Sequence, residues 1–160
     1  MNTLDIIKYG HLTMVAALEK VEFSDWETPG VCGIWGVKDI VAHLASYELW
    51  HVEVLNEILG ISTPTPIMDS RAEHGDLFND VEVEKRRELT PQDVFDEYRA
   101  GQSQVISLAR KVPAARFTEN GTLPWYGAEY CLNDFLVYTS YGHKREHSAQ
   151  VNAYRDQLGK

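Results

Sequence analysis

Apolar residues recur every three to four positions along four stretches of the chain, the period expected of helices that bury one face. The first runs from Thr3 to Lys20, with Leu4, Ile7, Met14, Val15 and Leu18 on one stripe and Asn2 or Thr3 available as its cap. The second runs from Val37 to Leu59, with Gly36 at its start and Gly60 placed to close it in the left-handed conformation. Its stripe is Val37, Ile40, Val41, Leu44, Tyr47, His51, Leu55 and Ile58. Thr90, Pro91 and Asp93 announce the third: a capping hydroxyl, a proline in the first turn and an acid near the positive end of the helix. Val94, Phe95, Tyr98, Val105, Leu108 and Val112 form its apolar face, and Pro113 marks its end. The fourth extends from about Leu132 to Leu158, before Gly159, with Leu132, Phe135, Leu136, Thr139, His143, His147, Gln150, Val151 and Tyr154 facing inward.

The segments between these stretches are richer in turn formers. Phe23 to Gly36 carries Pro29, Gly30 and Gly33 and reads as a loop. Ile61 to Asp76 holds Pro64, Pro66 and Gly75 and reads as an extended connection, after which Asp76 caps a short helix over Leu77 to Leu89. The charge run Glu82 to Glu88 reads as a solvated face, and Ala114 to Tyr130 as a loop. The pattern predicts an all-α fold: a four-helix bundle with a long crossover between its second and third helices. With 160 residues, 1–160 is expected to form a single domain.

Polar residues on the apolar stripes carry the candidate chemistry. On a helix, His143 and His147 differ by about 40° in direction and about 6 Å in height, so both imidazoles leave one face. His43, in the second helix, points to the Tyr47 and Val54 side of its stripe, towards a seam between helices. Three neutral imidazole nitrogens can hold a divalent metal and leave positions for water or substrate. The same residues fit a polar core network or a water-filled pocket, since an unpaired buried polar group costs about 1–3 kcal/mol. His11 reads as a core or pocket-lining residue, and Asp39 as a solvated first-turn carboxylate. Glu48 and His51 form one Glu-x-x-His, half the ligand set of a di-iron bundle, but the chain holds no second copy. Glu48 and His51 are therefore assigned to the pocket wall, and Trp125 and Tyr126, loop aromatics that can equally plug the end of the bundle or cover a substrate, are assigned to the pocket with them. The run from His143 to His147 is no zinc-protease motif, because Lys144 stands where the general base is needed and Glu146 reads as a flank residue.

Composition narrows the partners. A net charge of -9 repels phosphate backbones, so no nucleic-acid partner is expected. Apolar runs of only a few residues fall short of a membrane span, and Met1 to Leu12 lacks the features of a secretory leader, which points to the cytoplasm. Cys32 and Cys131 are expected to be reduced thiols. An exposed bundle face leaves room for a homodimer.

Trp35-x-Val37-Lys38-Asp39, then Ala42-His43-Leu44, and a final Tyr141-Gly142-His143-x-x-x-His147 resemble the DinB-like (YfiT) metal-binding four-helix bundle superfamily over nearly the whole chain. Pro124-Trp125-Tyr126-Gly127 also looks like a branch that includes colibactin self-resistance proteins, which generally departs from the histidine set retained here. The resemblance implies that His43, His143 and His147 are ligands to one divalent ion, zinc, nickel or iron. It further implies a metal-dependent enzyme of stress response that carries out thiol-dependent transfer or hydrolysis on a small electrophile, with a low-molecular-weight thiol as cosubstrate. The alternative is a non-catalytic protein that binds or sequesters a small molecule.

Overall fold

In the computed structural model, which describes residues 2–159, the first helix α1 (Thr3–Leu18) starts at Asn2, whose side-chain oxygen accepts the Asp5 N–H at 3.3 Å. Helix α2 (Val37–Ile58) starts at Gly36, whose N–H donates to the Asp39 carboxylate at 2.9 Å. The expected first-turn acid thus has a capping role. A Cβ at Gly36 would lie 2.7 Å from the Trp26 carbonyl oxygen, so the tight entry into α2 needs glycine. Gly60 has φ 69° and closes the far end.

The connection between the second and third long helices is less extended than its prolines suggest. Helix α3 (Pro66–His74) lies within it, with Pro66 in the first turn. Thr65 offers no capping side chain; instead the Glu53 carboxylate of α2 accepts the N–H groups of Ile67 (2.9 Å) and Met68 (2.8 Å). A remote acid therefore supplies the cap that local sequence lacks. Helix α4 (Phe78–Glu84) is shorter than expected and has no side-chain cap from Asp76. The charge run beyond it is partly buried: Arg86 donates to Glu82 (3.0 Å) and to Glu97 (2.7 and 2.9 Å), and Glu82 also accepts from Ser70 and Lys85. That pairing takes Glu82 and Arg86 out of solvent, while Glu84, Lys85, Arg87 and Glu88 form the solvated face that was expected.

Helix α5 (Pro91–Ala109) opens with a reciprocal capping box, Thr90 Oγ1 accepting the Asp93 N–H at 3.1 Å and the Asp93 carboxylate accepting the Thr90 N–H at 3.2 Å. The last stretch is interrupted. Helix α6 (Leu132–Leu136) passes through a π-helical segment (Val137–Gly142) into α7 (His143–Gln157). A wider turn changes the facing of every later residue. Lys144 consequently lies on the buried face at 1 % exposure, while His143 is only half-buried.

α2 packs chiefly on α5, and α1 on α7 and the π segment, so the long helices form an all-α bundle, with α3 and α4 against α2 in the crossover. Met14, Trp26, Ile40, Leu44, Val94 and Tyr98 build an apolar core at one end; Ile7, Val54, Leu55, Val105, Leu132 and Phe135 build another. Between them in chain order on α2, α5 and the last stretch lie buried polar groups: Glu48, His51, Gln102, Thr139, Ser140 and Lys144. No described helix is long and apolar enough to cross a membrane.

Candidate metal centre

The break between α6 and α7 sets the geometry of the site. Thr139, inside the π segment, donates its hydroxyl to the Phe135 carbonyl at 2.7 Å, one of the side-chain diversions that bend and loosen a helical ladder. Past that point His143 and His147 face His43 on α2. His143 Nε2 lies 2.8 Å from His43 Nε2 and 2.9 Å from His147 Nε2, and one ring nitrogen from each of the three lies within 4.8 Å of the others. Trp35 and Tyr47 flank the His43 ring, at centroid distances of 5.3 and 4.8 Å.

Burial keeps these rings neutral. His43 is pushed from its ordinary value near 6.5 down to about 2, first by burial, then because His143 and His147 beside it would repel a second proton in the cluster, and last by the Arg71 cation. His143 falls to about 3 through burial, His147 and Lys144; His147 is also lowered by burial, with Gln150 acting in the opposite direction. Neutral imidazoles with available lone pairs are what a divalent metal requires.

The proton count gives a separate test of the donor set. His147 Nδ1 donates to the Gln150 side-chain oxygen at 2.8 Å, so its Nε2 carries the lone pair turned towards His143. If His143 Nε2 bears a proton, it serves one of its two neighbours and leaves the other mismatched; if it does not, it faces the bare His147 nitrogen. Neutral imidazoles cannot satisfy both short contacts. A cation accepting all three lone pairs does, with Gln150 orienting the His147 ring from behind. The residues therefore fit a metal ion of the kind bound by imidazole, which includes zinc, nickel and iron.

His143 borders a cavity of about 700 Å³ whose walls include Tyr47, Trp50, Arg71, Trp125 and Tyr126. Two of the residues assigned to the pocket from sequence, Trp125 and Tyr126, line it; the other two, Glu48 and His51, do not. Glu48 is buried behind the site and pairs with Lys144 Nζ at 2.5 Å, while Lys144 also donates to Gln102 (2.8 Å) and Ser140 (3.0 Å). Burial pushes the Glu48 carboxyl up, and Lys144 opposes the shift. His51 Nε2 lies 2.9 Å from Thr139 Oγ1; because that hydroxyl donates to Phe135, His51 is the donor. His11 is half-buried and bonds Tyr98 through Nδ1 at 3.1 Å, and Glu146, expected on a flank, lines the cavity from an exposed position.

Sequence reasoning placed no role on Gln150, although its position three residues after His147 was a usable signal. Arg71 and Lys144 gave less warning. The first sits in a segment read as irregular, and the second is turned inward by a helical defect that side-chain periodicity does not report.

These features define a class: an all-α bundle with a crossover and a histidine cluster capable of coordinating a metal beside an aromatic-walled pocket. Residues 10–129, three-quarters of the chain, match the family described as mycothiol maleylpyruvate isomerase N-terminal domain, and the chain belongs to that family, with a DinB-like fold. His43 lies inside the matched stretch; His143 and His147 follow it, so their place in the triad rests on the geometry above. No curated protein and no solved structure matches the chain.

Proposed function

We propose that residues 1–160 form one metal-dependent enzyme domain in which His43, His143 and His147 hold a divalent ion and the adjoining cavity receives a small electrophilic substrate. The observation that carries this reading is the convergence of three neutral imidazoles on one point at the edge of a cavity of about 700 Å³. When bound, such an ion supplies Lewis acidity that makes a thiol or a water molecule nucleophilic near neutral pH. The family description names mycothiol, which makes a low-molecular-weight thiol the first cosubstrate to test and thiol transfer the first reaction.

The chain's own residues contribute binding and orientation. Gln150 fixes the tautomer of His147, burial keeps protons off His43 and His143, and the faces of Trp125 and Tyr126 receive the planar or apolar body of a substrate. A surface of net charge -9 fits a small-molecule partner better than nucleic acid, and the expected setting is the cytoplasm.

The test uses protein loaded with zinc, nickel or ferrous iron, a panel of low-molecular-weight thiols and an aryl halide as electrophile. Many turnovers per chain, lost on chelation and in His147→Ala with helical content retained, is the expected result. Consumption limited to one equivalent per chain would instead identify a sequestering protein, and undiminished turnover without metal would overturn the mechanism.

A further inference from the structure

The pocket contains a cation whose charge the fold does not neutralise. Arg71, on α3, reaches into the cavity, and its guanidinium carbon lies 3.9 Å from the centroid of the Trp50 ring, 4.7 Å from that of Phe78 and 5.6 Å from that of Tyr47. Its hydrogen bond to the protein is a long one, Nη1 to Tyr47 Oη at 3.5 Å. Among the described residues no carboxylate comes within 4.0 Å of it, whereas Arg86, Arg87, Arg99, Arg116 and Arg155 each meet one; Arg110 and Arg145 also lack one, but both stand exposed in solvent while Arg71 is partly buried among rings. In a chain with 24 acidic and 15 basic residues, a partly buried arginine left without an acid is therefore informative, since no bulk water compensates its charge as it does at Arg110 and Arg145.

Stacking fixes the plane of the guanidinium and leaves N–H groups of its fork for an incoming acceptor. A carboxylate matches that fork with two parallel hydrogen bonds, and loses less on leaving water when the receiving cation is already held in place. The same cavity presents Trp50, Trp125 and Tyr126, whose rings suit a flat apolar body, and it ends at His143. The charge of Arg71 also reaches the histidine cluster, where it helps keep His43 unprotonated.

We propose that Arg71 is the anion-recognising residue of this pocket, and that the ligand is a small planar carboxylate, its carboxylate on the guanidinium and its unsaturated or aromatic body between the aromatic walls, directed towards His143. The assignment rests on the reading of the cavity beside the triad as the substrate site. It does not depend on which nucleophile acts there.

Cinnamate and its uncharged counterpart cinnamamide are suitable probes, titrated by quenching of the tryptophans in the pocket with chelator present, so that metal cannot bind the carboxylate. The wild-type chain is expected to bind cinnamate about 10-fold or more tightly than the amide. Arg71→Met should abolish that preference while leaving amide affinity unchanged, and Arg71→Lys, which keeps the charge without the fork, should retain part of it. A purely structural arginine would alter both ligands alike. Equal affinity for acid and amide in the wild type, no binding of cinnamate at millimolar concentration, or an unaltered preference in well-folded Arg71→Met would each overturn the assignment. Metal content is measured on the same variants: an Arg71-dependent preference in a chain that takes up no metal leaves the anion site standing and removes the metal-enzyme reading, and normal metal uptake without the preference does the reverse.

Discussion

Replacing Lys144 by methionine tests how the π segment and the polar layer are connected. The Lys144 ammonium lies against Glu48 at 2.5 Å, with both side chains about 1 % exposed, and Gln102 and Ser140 complete its shell. Lys144→Met fills a similar volume but strands the Glu48 carboxylate where no water reaches it. Breaking a buried pair in this way costs about 3–5 kcal/mol. For a chain of 160 residues an unfolding entropy of about 0.3 kcal/mol/K follows from the usual per-residue value, so Tm should fall by about 10–15 °C. The stranded acid would escape part of the penalty by taking up a proton, because burial already pushes Glu48 upwards. Its pKa is then higher folded than unfolded, so the variant should lose stability as pH rises through and above the unfolded carboxyl value. Urea denaturation at several pH values measures both effects. Glu48→Gln in the Lys144→Met background should recover most of the loss, since the uncompensated charge is gone. A single-variant loss under about 1 kcal/mol, or no recovery in the double variant, would refute the reasoning.

Three further outcomes follow from other parts of the structure. A Cβ at Gly101 would meet Glu48 Cβ at 2.7 Å, so Gly101→Val should push α5 away from α2 and lower stability by about 1–3 kcal/mol, read from the urea midpoint; an unchanged midpoint would contradict the close approach. Glu53→Ala removes the cap of α3, and hydrogen exchange at Ile67 and Met68 should accelerate about 10-fold or more while α5 is unaffected. His43 and His143 have folded pKa values of about 2 and about 3 against about 6.5 unfolded, so below pH 6.5 the unfolded chain takes up protons that the folded chain refuses. Stability in chelator should therefore fall as pH drops from 6.5, and His143→Gln should spare about 2 kcal/mol of that loss between pH 7 and pH 5; identical pH slopes would refute the burial of His143 as the cause.

The helices whose caps and apolar stripes are local were legible in the sequence. Thr90 with Asp93, Gly36 before Val37, and Asn2 before Thr3 each act within a few residues, and each sits at the helix start it marks. Helix α3 was not legible, because its cap is Glu53, more than a turn of sequence away and on another helix. The charge run after α4 misled at Arg86 for a related reason: that residue is held by Glu97 from α5, a partner that local charge pattern does not reveal. Within the site, the spacing of His143 and His147 brought the triad into view. The π segment then decided what periodicity could not, placing Lys144 inside and His143 at the cavity edge. Glu48 and His51 looked like pocket residues because they are polar on a buried stripe, yet both face the core, Glu48 paired in charge with Lys144 and His51 bonded through Nε2 to Thr139, while His51 Nδ1 has no hydrogen-bond partner there.

The most direct measurement is metal content per chain, by mass spectrometry, on protein purified without an affinity tag and then reconstituted with zinc, nickel or ferrous iron. The wild type is expected to hold close to one equivalent of ion and the triple variant His43→Ala, His143→Ala, His147→Ala almost none, with helical content preserved in both. Failure of the wild type to retain any of the three ions, or equal retention by the triple variant, would contradict the assignment of the triad as a metal site.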